Sequence, residues 1–123
     1  MSKFNITKNL IKKPILLHDG FENDFIHKKN FIDCPYCDSQ VIFTVFNSKR
    51  FDLEDESFKK EVASHIKGVK ENTIKPGYYN YKGEAICFFE SKCPLHKHNV
   101  LIFFTFSEVQ PARYISYLIG VFG

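Results

Sequence analysis

Two short stretches of the 123-residue chain carry residues able to do thiol or metal chemistry, Cys34-Pro35-Tyr36-Cys37 and Cys93-Pro94-Leu95-His96. Cysteines two residues apart suit two chemistries. One thiolate can attack a disulfide while the other resolves it, or both can bind one borderline metal ion. The second stretch repeats the pattern Cys-Pro-X-ligand. A tetrahedral zinc ion needs four such donors, and two tight turns supplying two each is a common solution. The two-residue spacer lets each turn aim both side chains at one ion, and proline after the first ligand stiffens the turn. The 55 residues between the pairs add little closure entropy. His98 and Cys87 are alternates to His96 as fourth ligand. Cys87 sits in the apolar run Ala85 to Phe89, where a cysteine usually packs as a small hydrophobe. His18, His27 and His65 have no partner at ligand spacing.

The two knuckles, each placed just before a β-rich segment, resemble the zinc-ribbon class over residues 31–46 and 84–106, with His96 in place of the usual fourth cysteine. The resemblance implies a structural zinc ion held by Cys34, Cys37, Cys93 and His96. It departs from the pattern in its long insert and in Asp38 and Lys97, which stand where glycine often follows the second ligand. Cys34-Pro-Tyr-Cys37 is also identical to the active-site tetrapeptide of glutaredoxins. That resemblance implies a thiol-disulfide oxidoreductase using Cys34 and Cys37. It would need a helix after the motif and a later cis-proline segment, whereas Gln40 to Phe46 alternates like a strand. Zinc-deaminase, phosphate-loop and serine-hydrolase motifs are absent from the sequence. The zinc reading is therefore a closed, non-catalytic one.

The elements that must position these residues follow from pattern. Pro14–His18 reads as a strand ended by an Asp19-Gly20 turn, and Gln40–Phe46 as a strand. The stretch Asp52–Asn72 reads as the main helix, because Phe58, Val62, Ile66 and Val69 form one stripe. Asp55 or Ser57 caps its start, and Gly68 or Asn72 closes it. Lys75-Pro76-Gly77 and Lys82-Gly83 are turns, while Glu84–Glu90 and Asn99–Phe106 are strands. After Pro111, the spacing of Ile115, Leu118, Ile119 and Phe122 predicts a short apolar C-terminal helix, a candidate homodimer contact. Ile119-Gly120-Val121-Phe122 is similar to the turn through which some bacterial proteins pass from a ribbon into a helical domain. That similarity implies a longer protein of which residues 1–123 are the front part.

The expected fold is thus α+β: a small antiparallel sheet with a zinc-ribbon-like site, one main helix inserted between the knuckles and a short C-terminal helix, in one domain spanning 1–123. A hydrophobic content of 44% and a charged content of 25% exclude general disorder. A net charge of +3, with fifteen dispersed lysines and two arginines, gives no nucleic-acid footprint by itself. No apolar leader or membrane-spanning run is present, so a reducing cytoplasmic setting in a bacterial or phage protein is expected, with no membrane partner. Tyr78, Tyr79 and Tyr81, flanked by Lys75 and Lys82, form a candidate aromatic binding platform, although tyrosines beside Pro-Gly turns more simply cover a core edge. The expected function is a non-catalytic binding module acting through a protein partner, with a nucleic-acid-binding zinc ribbon as the alternative and the oxidoreductase as the second alternative.

Overall fold

The computed structural model describes residues 11, 13–21, 27–34, 37, 39–92, 99–111 and 113–122. Its central strand is β8 (Asn99–Thr105), in which Val100 through Phe104 are all wholly buried. Successive side chains on a strand point to opposite faces, so five buried apolar residues in a row require cover on both. β7 (Ile86–Lys92) and β10 (Arg113–Phe122) flank β8, both antiparallel to it. β1 (Ile15–Phe21) lies outside β10, and the short β4 (Lys49–Arg50) lies outside β7, giving the order β1-β10-β8-β7-β4 among the described residues. β9 (Ser107–Gln110) pairs with the first part of β10. Where β10 changes partner from β9 to β8, the buried Ser116 hydroxyl donates to the Thr105 carbonyl. The Tyr117 amide donates to Thr105 Oγ1 at 3.0 Å, so this break in the ladder leaves those polar groups bonded.

One face carries Leu101 and Phe103 of β8 with Ile86, Phe88, Ile119 and Phe122. It is covered by helix α1 (Glu56–His65), a 3-10 turn at Phe51–Leu53 and a hairpin of β5 (Val69–Glu71) and β6 (Tyr79–Tyr81). The Phe103 ring lies 5.7 Å from Phe51 and 5.8 Å from Phe122, both edge-on, and 5.8 Å from Phe88. The opposite face carries Val100, Ile102, Phe104, Leu118 and Val121, and the hairpin of β2 (Asn30–Asp33) and β3 (Gln40–Phe43) covers it with Val41 and Phe43. Fully burying side chains of this size contributes about 1.5–3 kcal/mol each. No helix among the described residues is long and apolar enough to cross a membrane.

The α+β class, the antiparallel sheet and the main helix agree with the sequence, but four local expectations do not. The helix spans Glu56–His65 rather than 52–72. Asp55 caps it by accepting the Phe58 amide at 2.8 Å, and the stripe residues Phe58, Val62, Ile66 and Val69 are all buried. The chain leaves the helix at Ile66, turns at Gly68 with φ of +100°, and pairs Val69 with Tyr81, so the last stripe residue enters the core from a strand. β1 runs through Asp19-Gly20 instead of turning there. Gly20 pairs with Tyr114, and the Arg113 guanidinium grips both Asp19 oxygens at 2.7 and 2.8 Å across the strands.

The C-terminal helix is the largest correction: 113–122 is a strand. Ile119 is a bulge residue between Leu118, which pairs with Phe104, and Gly120, which pairs with Phe103. The extra residue resets the alternation, placing Leu118 and Val121 on one face and Ile119 and Phe122 on the other. A bulged strand buried on both faces therefore reproduces the i, i+3 spacing of a helix. The Ile119–Phe122 stretch is accordingly strand rather than a turn, with Ile119, Val121 and Phe122 at most 4% exposed.

The bulge also needs its glycine. A Cβ on Gly120 would stand 2.6 Å from Ile66 Cδ1 and 3.2 Å from Ile66 Cγ1, so the Ile66 side chain would have to move to admit it. Gly120→Ala is expected to lower stability by about 1–3 kcal/mol in urea unfolding, an overpacking cost. In an Ile66→Ala background the same substitution should cost under about 1 kcal/mol, and equal costs in both backgrounds would exclude the clash as the cause.

Candidate metal centre and binding surfaces

The hairpin that covers the second face ends in the first knuckle. Register from Asn30↔Phe43 to Asp33↔Gln40 carries the two strands to their tip. There the Cys34 amide donates to the Ser39 carbonyl at 2.8 Å, and the Cys37 amide returns to the Cys34 carbonyl at 3.3 Å. This turn folds Cys37 back over Cys34, the geometry in which a two-residue spacer delivers two sulfurs to one ion. Cys34 is 4% exposed and packs with the core of this face, whereas Cys37 is half-buried. The Ser39 hydroxyl lies 2.9 Å from Cys37 Sγ, where it can donate to a thiolate. Donor chemistry and turn geometry thus fit half of a zinc site.

The other half, Cys93 and His96 with the alternate His98, lies outside the described residues. The segment 93–98 leaves β7 after Lys92 and enters β8 at Asn99, and these two residues are cross-strand partners. Both ends of the segment are therefore held by the central sheet. Cys87, the other alternate, lies on β7 on the same face as the hairpin, and burial pushes its thiol pKa up. Among the described residues no three His, Cys, Asp or Glu side chains gather closely enough to hold an ion, so Cys87 does not converge with Cys34 and Cys37. A strand, β3, follows the Cys34–Cys37 turn. No helix N-terminus of the kind that lowers a glutaredoxin thiol's pKa follows the motif.

The aromatic platform divides. Tyr79 and Tyr81, alternate residues of β6, point into the core at 4% and 7% exposure, leaving only Tyr78 in solvent. Lys75 Nζ lies 5.8 Å from the Tyr78 ring centre and Lys82 Nζ 5.4 Å from that of Tyr81. The simpler expectation, that these tyrosines cover a core edge, describes two of the three. Tyr79 donates its hydroxyl to Glu56 Oε1 at 3.1 Å, and burial, reinforced by that bond, pushes its phenol up to about 12.

Two features escape sequence reasoning. Lys59 is buried on α1, its ammonium donating to the Gly77 carbonyl and, at 3.4 Å, to the Asp52 carbonyl, with Glu56 at 3.6 Å. Nothing in its sequence position distinguishes it from the exposed lysines. On the outer face of the β2–β3 hairpin, Phe31 and Ile42 are cross-strand partners, 53% and 48% exposed. The alternation of Phe31-Ile-Asp33 and Gln40-Val-Ile-Phe43 could have placed them there.

Two titrations test these placements. The Tyr79 phenol is held neutral in the fold, so its contribution is complete below the ordinary value of 10.0 and is lost as pH rises toward about 12. Wild-type chain should therefore lose more stability over that interval than Tyr79→Phe, and parallel curves would contradict the assignment. The Cys87 thiol should react with an aromatic disulfide at pH 8 at least about tenfold more slowly in the folded chain than in urea.

Comparison with protein-family models, with curated proteins and with solved structures finds no match.

Proposed function

We propose that the chain is a non-catalytic, zinc-stabilised binding module that acts through a protein partner. The observation that carries this reading is the β2–β3 hairpin, which joins three properties in one element. Its tip carries the paired cysteines, its inner face seals one core, and its outer face presents Phe31 and Ile42 to solvent. Cys34 and Cys37 would hold the ion together with Cys93 and His96. Bound zinc would supply a cross-link between the hairpin tip and the segment that joins β7 to β8.

Beside the hairpin, a cleft of about 470 Å³ runs between it and the β1–β10 pair, lined by Ile15, Phe31, Ile32, Leu118 and Val121 among others. β1 ends the described sheet order, and its Ile15 and Leu16 are 49% and 54% exposed. An apolar cleft beside a terminal strand suits an extended segment of a partner protein, which gains main-chain bonds along the strand and burial in the cleft. Among the described residues the cleft's one charged lining residue is Asp33 and no lysine or arginine lines it, which supports a polypeptide over a nucleic-acid strand.

Metal analysis of protein purified without added chelator should find one zinc per chain. Cys34→Ser and Cys37→Ser should each weaken binding of cobalt, used as a spectroscopic substitute, whereas Cys87→Ala should not. Chelation should lower the unfolding midpoint. A metal-free protein with a reducible Cys34–Cys37 disulfide would overturn the metal reading. For the partner surface, extended peptides selected on the zinc-loaded chain should be rich in alternating apolar residues. Their binding should fall at least about tenfold in Phe31→Thr/Ile42→Thr, a pair of β-compatible polar residues at these cross-strand positions, with an unfolding curve of the variant showing that the fold is kept. Undiminished peptide binding in that variant would remove the hairpin face from the proposal.

A further inference from the structure

A second cleft lies on the other side of the sheet, where the chain before β1, the 66–68 turn and the end of the β5–β6 hairpin meet. We propose that it is a binding site for a phosphate-bearing ligand of nucleotide size. Its volume of about 470 Å³ falls within the range of small-ligand sites, about 300–1,000 Å³. Four lysines line it, Lys13, Lys67, Lys70 and Lys82, and among the described residues no acidic one does. They come from three separate parts of the chain. None forms an ion pair with a carboxylate among the described residues, unlike Lys59, Arg50 and Arg113. Four like charges around one concavity repel each other and raise the local positive potential, which a bound polyanion relieves.

The surroundings suit an anion in two further respects. Helix α1 ends nearby, and the carbonyls of a helix C-terminus ordinarily repel negative charge. Here the Val62 carbonyl accepts the Ile66 amide at 3.1 Å, the Ile66 carbonyl accepts the Val69 amide at 3.2 Å, and the Gly68 carbonyl accepts the Lys82 amide at 3.3 Å. These three carbonyls, at the helix end and in the turn after it, are therefore each bonded within the chain. The cleft also has an apolar part, formed by Ile11 and Pro14 with the edges of Ile66, Tyr81 and Ile119, and opens beside a hollow that shares Lys70 and Lys82 and is lined by Thr73, Asn80 and Glu71, whose carboxylate accepts the Gly77 amide at 2.9 Å. Charge for phosphates, apolar surface for a ring and neutral donors for a sugar are thereby placed together. A long single strand fits less well. Tyr81 is 7% exposed and offers no open ring for stacking successive bases, and neither arginine of the chain reaches the cleft.

This inference uses no residue of the knuckle hairpin and does not rest on the protein-partner reading. The test is titration calorimetry of the zinc-loaded chain at about 50 mM salt, where lysine–phosphate contacts are least screened. The probes are ATP, pyrophosphate, inorganic phosphate and a fifteen-nucleotide oligothymidine. ATP should bind saturably at one per chain, more tightly than pyrophosphate, which should in turn exceed phosphate. Lys67→Gln/Lys70→Gln should weaken ATP by about tenfold or more with an unchanged unfolding midpoint, since both side chains are exposed. The proposal is overturned by no saturable binding of ATP, by undiminished binding in that variant, or by preference for the oligonucleotide over ATP.

Discussion

The double-sided burial of β8 is the constraint on which the rest of the structure depends. Five consecutive apolar side chains from Val100 to Phe104 cannot be satisfied by one layer. Cover on one face comes from α1, the 3-10 turn at Phe51 and the β5–β6 hairpin, and on the other from the β2–β3 hairpin. The neighbouring strands meet the same demand in their own ways. β7 alternates between the two faces, while β10 inserts the Ile119 bulge so that four of its last five residues serve both cores.

This layering makes the knuckle part of the fold. Cys34 belongs to the same buried cluster as Val41, Phe43 and Phe104, and the tip that carries it closes the hairpin whose inner face seals that cluster. The hairpin has only four residues in each strand, which is short for an element that must cover a sheet alone. The proposed metal cross-link from its tip would add free energy where apolar area is limited. The same shortness leaves the outer residues Phe31 and Ile42 without a further layer, so the element that holds the fold also displays apolar surface.

Charge is distributed by the same architecture. Lys59 is taken into the protein and bonded to two carbonyls and Glu56, where it ties α1 to the turn at Gly77. Asp19 and Arg113 join β1 to β10 by a bidentate pair that holds the Asp19 carboxyl below its ordinary range. Lys13, Lys67, Lys70 and Lys82, around the 66–68 turn, form no ion pair with a carboxylate among the described residues.

The sequence by itself determined those features whose cause is local. Asp55 caps the helix because its side chain reaches the Phe58 amide, and the stripe of Phe58, Val62, Ile66 and Val69 marks buried positions whatever backbone carries them. The continuous apolar run Val100–Phe104 marks a strand, and the turn chemistry at Lys75-Pro76-Gly77 and Lys82-Gly83 appears as read, with both glycines at positive φ. Cys34 and Cys37 share a tight turn because only two residues, one of them proline, separate them. Tertiary structure decided what depends on distant partners. Residues 113–122 become a strand because β8, β9 and β1 offer them backbone partners, and the bulge gives the strand a helical-looking spacing. Tyr79 and Tyr81 turn inward because β5 pairs with β6 against the sheet. Lys13, Lys67, Lys70 and Lys82 share a cleft only because the fold closes a gap of more than fifty residues, and dispersed charge in a sequence carries no signal of that meeting.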